Sequence, residues 1–191
     1  MATDAPPTPG TYRRGRAELP GLVNATIRLQ REWDTLVRAH FGDRVYLHGA
    51  VVLLGRPAAH GALGTTSKRH RDGRLEVVVD AGLYLGAHPD IDAAAPAQGR
   101  WNLVRDVLLH EAVHVAIDTT GPPWREQADH GGPYALLADA IGTRLGLPSI
   151  GHWAHWPYFT RPADHYLGAY RPAAEVHLTR TFQALLRDLA E

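Results

Sequence analysis

Chemistry is concentrated in one short stretch of this chain, His110-Glu111-Ala112-Val113-His114, an H-E-x-x-H sequence. Residues i and i+4 of a helix lie one turn apart on the same face, so both imidazoles can reach one ion. Glu111 is offset to the side, where it can contact an ion-bound water without being a ligand. Zinc lowers the pKa of such a water towards neutrality, and the carboxylate takes its proton as it attacks a carbonyl. With 12 His and 7 Glu in 191 residues, chance yields roughly 0.03 matches to such a motif. The surrounding residues are apolar, so two imidazoles and a carboxylate there cost several kcal/mol unless something compensates. A metal is one compensation. Two satisfied core histidines and a salt-bridged Glu are the other.

A catalytic zinc site needs a third protein ligand and leaves the fourth position open. The extended H-E-x-x-H-x-x-G-x-x-H pattern fails, because its Gly position is Ile117 and its last His position is Thr120. A ligand Glu on the next helix fails too, since residues 132–146 contain none. His130 is the leading candidate, sixteen residues after His114, with Asp118 and Asp129 as rivals. The expected cofactor is one zinc ion per chain. Three protein ligands plus an open position would mark a hydrolase. Four would mark the alternative, a zinc-containing DNA- or protein-binding module without proteolysis.

The run Leu108-Leu109-His110-Glu111-Ala112-Val113-His114, followed by His130-Gly131-Gly132-Pro133-Tyr134, resembles the SprT-like zinc metallopeptidases, which include Spartan. That family carries an H-E-x-x-H helix and then a His-Gly-x-x-aromatic segment that opens a second helix. The resemblance covers roughly residues 21–147. It implies His110, His114 and His130 as ligands, Glu111 as general base, and a protein or peptide substrate, notably proteins attached to DNA. The implied fold is α+β and minimal zincin-like, a small sheet packed on the active-site helix and on a second, ligand-bearing helix. Many bacterial members add a cysteine zinc ribbon; this chain has no cysteine.

The elements that must position these residues follow from hydrophobic spacing. Leu29, Trp33, Leu36, Val37 and Phe41 recur at three- and four-residue steps and predict a helix from Pro20 to Phe41. Val45 to Leu54 reads as a strand with an irregularity at His48-Gly49. Gly61–Lys68 and Arg74–Asp80 read as a hairpin whose second arm sets Leu75, Val77 and Val79 on one face. Residues 82–99, with His88-Pro89-Asp90 and Ala95-Pro96, predict a connection with short helical pieces. Trp101 to Thr120 has no Gly or Pro and predicts a largely buried helix. Pro133 opens another, closing near Gly146. The expected organisation is a flexible arm over residues 1–18 and one domain over 19–191. That domain includes a His/Trp-rich loop at 148–171 and an amphipathic helix at 172–190.

Composition limits the remaining options. The chain is 45% hydrophobic and 21% charged, as expected of a globular domain, and its formal net charge is zero. A missing cysteine set excludes a disulfide framework, thiolate zinc ribbons and a Cys nucleophile. No run approaches the about 18 apolar residues of a membrane span, and the N-terminus lacks the order of a secretion signal. A cytoplasmic protein with no membrane partner is the expectation. Basic residues gather at the hairpin tip, where Lys68, Arg69, Arg71 and Arg74 could contact nucleic-acid phosphates or stand as a solvated turn. Residues 75–139 hold ten acidic and three basic side chains, a field that attracts cations and basic substrates. Tyr134, His152 and Tyr158 are candidates for an oxyanion or substrate contact.

Overall fold

The computed structural model describes residues 20–42, 49–57, 61–68, 74–120, 132–144, 160 and 180–190. In chain order they form α1 (Pro20–His40), β1 (Val51–Gly55), β2 (Gly64–Lys68), β3 (Leu75–Asp80), α2 (Ala81–Leu85), α3 (Ala97–Thr120), α4 (Gly132–Arg144) and α5 (Arg180–Ala190). The mixed α+β class expected from the sequence is present.

Helix α1 forms where the apolar steps place it. Leu22, Ala25, Leu29, Trp33, Val37 and Phe41 are buried along one stripe, and Leu36 packs at its margin. Two side chains on the same helix serve the sheet. Gln30 accepts from Val52 N (2.9 Å) and donates to Ala50 O (3.2 Å), and Thr26 Oγ1 accepts from Leu54 N (3.4 Å). These bonds occupy backbone groups of β1 that an uncovered edge strand would leave to solvent.

Among the described residues the three strands make one sheet in the order β1-β3-β2. β2 and β3 are the antiparallel hairpin read from the sequence, with Thr66 opposite Val77. β1 runs parallel to β3, Val52 opposite Val77. Val77 and Val79 are fully buried, which matches the apolar arm of the hairpin. The irregularity at His48-Gly49 corresponds to a left-handed Gly49 with φ +83°, a backbone conformation that glycine adopts without a Cβ clash. The strand then begins at Val51; residues 43–48 lie outside the described set.

The connection after β3 starts directly as a helix. Asp80 Oδ1 accepts from Gly82 N (2.6 Å) and caps α2, which ends at a left-handed Gly86. Helix α3 begins four residues earlier than its uninterrupted stretch suggests. Pro96 precedes it, and Pro96 O accepts from Arg100 N (3.0 Å) to close the first turn. The Arg100 side chain folds back onto Tyr84 O (3.0 Å) and Ala95 O (2.6 Å), fixing the entry. Trp101 is buried at the start of α3, with Tyr84 edge-on to it and the Arg28 guanidinium 3.9 Å from its ring centre.

Helix α3 runs through the core. Leu103, Val104, Val107, Leu108, Leu109, Ala112, Val113, Val115, Ala116 and Ile117 are all buried. Burying each such Leu, Ile or Val fully contributes about 1.5–3 kcal/mol, and together they immobilise the helix that carries the H-E-x-x-H residues. Helix α4 packs on it through Tyr134, Ala135, Leu137, Ala138 and Ile141, and Phe182, Leu185 and Leu189 bring α5 into the same core. No helix among the described residues is long and apolar enough to cross a membrane.

Candidate metal centre

Along α3, His110 and His114 are separated by one turn, and their rings converge. Their Nε2 atoms lie 3.0 Å apart and their ring centres 4.6 Å apart, in an edge-on arrangement. Two nitrogens that share a tetrahedral zinc at about 2.0–2.1 Å stand about 3.3 Å from each other. The pair therefore fits a shared ion after a shift of a few tenths of an ångström. Both rings are half-buried, so the nitrogens are neither sealed in the core nor on open surface.

Glu111, between the two histidines in sequence, is reached by the sheet, and only 6% of it is exposed. Thr66 Oγ1, on β2, donates to its Oε2 at 2.8 Å. No basic side chain among the described residues pairs with it. Burial raises its pKa from 4.5 to about 7, and the Thr66 hydrogen bond offsets part of that rise. A carboxyl near 7 is suited to accepting a proton at neutral pH.

Strand β2 can come this close because of Gly64. A Cβ built there would stand 2.6 Å from Glu111 Oε1, 2.9 Å from Val107 Cγ1 and 3.0 Å from Glu111 Cγ. Gly64 and Thr66 occupy alternate positions of β2 and so share a face, one leaving room for the carboxylate and the other holding it. Neither residue emerges from reading the sequence for metal ligands. A glycine inside a strand is a sign of close backbone approach, and that sign stands at Gly64.

Tyr134, two residues into α4, is 1% exposed. Its hydroxyl lies 2.7 Å from His110 Nδ1, and its ring centre is 5.2 Å from that of His110 and 4.9 Å from that of His114. Burial, and then the Glu111 charge, push its hydroxyl well above the ordinary tyrosine range. It stays neutral at working pH.

The structure thus brings four sequence-derived candidates together: His110, Glu111, His114 and Tyr134. His130 and its rival Asp129 lie outside the described residues, as do His152 and Tyr158; Asp118 is on α3, one turn beyond His114. Among the described residues, no group of three or more His, Asp or Glu side chains is placed to hold an ion. A zinc site built on these two imidazoles would need a further donor. Of the basic hairpin residues, Arg69 and Arg71 fall outside the described set. Lys68 ends β2, and Arg74, just ahead of β3, is exposed. Comparison of the chain with protein-family models, with curated proteins and with solved structures gives no match.

Proposed function

We propose that the chain is a zinc-dependent metallopeptidase, similar in its site to the SprT-like enzymes. One observation carries this reading. Two imidazole nitrogens converge to 3.0 Å beside a buried carboxylate whose hydrogen-bond partner among the described residues is a single hydroxyl. His110 and His114 would hold the ion, with His130 as the third donor that the resemblance supplies. Zinc, when bound, would supply Lewis acidity, which makes water a better nucleophile and a peptide carbonyl a better electrophile.

The chain's own groups then have defined tasks. Glu111, with its pKa near 7, accepts a proton from water at neutral pH and can return it to the departing amine. Thr66 keeps Oε2 engaged, so that the carboxylate has one fixed orientation. The buried helix surface around Val107, Ala112 and Val113 limits solvent behind the site. The protein should bind about one zinc per chain. Glu111→Gln should keep that zinc and lose most cleavage of an unstructured protein such as casein. Cleavage by Glu111→Gln at the wild-type rate, or a wild-type protein that takes up no zinc, would overturn the reading.

A further inference from the structure

We infer that Tyr134 is a positioning residue for His110: with a metal on Nε2, the Tyr134 hydroxyl takes the hydrogen bond of Nδ1–H and holds the ring in place. The inference rests on the zinc reading above and adds a residue to it.

The argument starts from imidazole itself. A neutral ring carries one proton, and the nitrogen opposite a bound metal must be the one that carries it. His110 Nε2 faces His114 Nε2 at 3.0 Å, which makes Nε2 the atom that would face a metal, and a metal on Nε2 would leave the proton on Nδ1. That N–H then needs an acceptor inside the protein, since metal-bound histidines are held by a partner on their other nitrogen. Tyr134 Oη, at 2.7 Å, is in the acceptor's position. The same ring lies against both imidazoles, at 5.2 and 4.9 Å between centres. Tyr134 is therefore a wall as well as a hydrogen-bond partner, and it limits rotation of His110 about its side-chain bonds.

The fold makes this partner a stiff one. Tyr134 is fully buried, and its neighbours Ala135, Leu137 and Ala138 are packed on the core. Its hydroxyl cannot swing away without moving the first turn of α4. The contact also joins two helices, α3 with His110 and His114, and α4, which begins two residues after His130 in sequence. A phenylalanine would preserve the wall and remove the acceptor, which separates the two roles experimentally.

The test uses the full chain and zinc alone. Wild type, Tyr134→Phe and His114→Ala are titrated with zinc against a chromophoric chelator, and each is also loaded with cobalt for its visible spectrum. The expected result is that Tyr134→Phe binds zinc about 10- to 100-fold more weakly than wild type, with a shifted cobalt band, while His114→Ala binds neither metal. Nitrogen-15 spectra of the zinc-loaded wild type should show His110 protonated at Nδ1, a readout that needs no variant to fold. Wild-type zinc affinity and an unshifted cobalt band in Tyr134→Phe, or a His110 protonated at Nε2 in the loaded protein, would overturn the inference and leave the zinc reading standing. A wild type that binds no zinc would overturn both.

Discussion

Helix α3 carries an acid-associated cluster on each of two sides, and the two differ in kind. Towards α1, Arg105 Nε meets Glu32 Oε2 at 3.2 Å, with side chains 52% and 31% exposed, at the rim of a groove that Leu36, Ala39, His40, Leu108 and Leu109 also line. Towards the sheet, Glu111 is 6% exposed and meets a hydroxyl, with no cation from the described residues beside it. Solvent accounts for the first arrangement, since a surface ion pair costs little and contributes little. It does not account for the second, because a carboxylate withdrawn from water without a cation is expensive. Charge that is explained by exposure says little about function. Charge that exposure cannot explain marks the site.

The sharpest way to break this contrast is to remove an imidazole. His110→Ala or His114→Ala should reduce zinc binding below detection in a chelator competition, whereas neither Glu32→Ala nor Arg105→Ala should change it. If an imidazole variant bound zinc like wild type, the buried cluster would be a structural curiosity and the contrast would lose its meaning. Metal removal from the wild type should also lower its melting temperature, because the proposed ligands, His110 and His114, would share an ion only in the folded helix.

How much of this was legible beforehand follows from the same contrast. The spacing of His110, Glu111 and His114 is a local property of one helix, and so is the stripe of Leu29, Trp33 and Val37 on α1; both are readable from sequence. Thr66 lies forty-five residues from Glu111, on a strand whose identity depends on its partner, and nothing local links the two. The parallel pairing of β1 with β3 is likewise a long-range result. Helix α3 adds a further difficulty. It is apolar nearly all round, so its pattern does not say which side faces α4 and which faces the sheet. Only packing reveals that Tyr134 lies behind His110 and that Gly64 lies over Glu111. Apolar periodicity sets the start of α3 at Trp101, four residues late, for a nearer reason: Pro96 and the folded-back Arg100 supply a helix entry that periodicity does not register.

Glu111→Gln should cost about 10²- to 10⁴-fold in kcat with little change in zinc affinity, which would place the carboxylate in the chemistry rather than in the binding. The same substitution tests burial in the protein stripped of metal. The folded-state pKa of Glu111 is raised, from 4.5 to about 7, so the fold favours the protonated form. Its contribution to stability is full below pH 4.5 and is lost as pH rises through about 7, a change of about 3 kcal/mol. His40 runs the opposite way: burial, and then Arg144, lower its pKa, so protonating it at low pH disfavours the folded state. The difference between wild type and Glu111→Gln isolates the carboxylate. Chemical denaturation across this range should show the Gln variant gaining on the wild type as pH rises. A constant difference would mean that Glu111 is solvated or paired in solution.

Gly64→Ala sharpens the comparison from the strand side. Its added Cβ meets Glu111 Oε1 and Val107 Cγ1 inside 3.0 Å, and overpacking of this kind costs about 1–3 kcal/mol. The carboxylate is the movable neighbour, so the variant should lose peptide hydrolysis while its zinc affinity, which we assign to His110 and His114, stays within a few-fold of wild type. A fully active Gly64→Ala protein would show that the close approach of β2 does not set the carboxylate's position.

The smallest effect belongs to the other side of α3. Glu32 and Arg105 should show a coupling of about 0.2–1 kcal/mol in a double-mutant cycle of denaturation free energies, because the pair is solvated and its long side chains lose entropy on being held together. Raising salt should reduce that coupling further, since exposed charges are screened where buried ones are not. Arg105→Ala alone removes an aliphatic stem that lines the groove as well as a charge, so the single variant can cost more than the cycle assigns to the pair. Arg105 and His110 lie on the same helix, and this gives the cycle its use as a control. Zinc affinity and hydrolysis should both be unchanged in Arg105→Ala, because Arg105 meets Glu32 at an exposed rim on the side of α1. A coupling above about 2 kcal/mol, or a loss of zinc affinity in Arg105→Ala, would show that the groove and the metal site act as one unit and that exposure does not separate them.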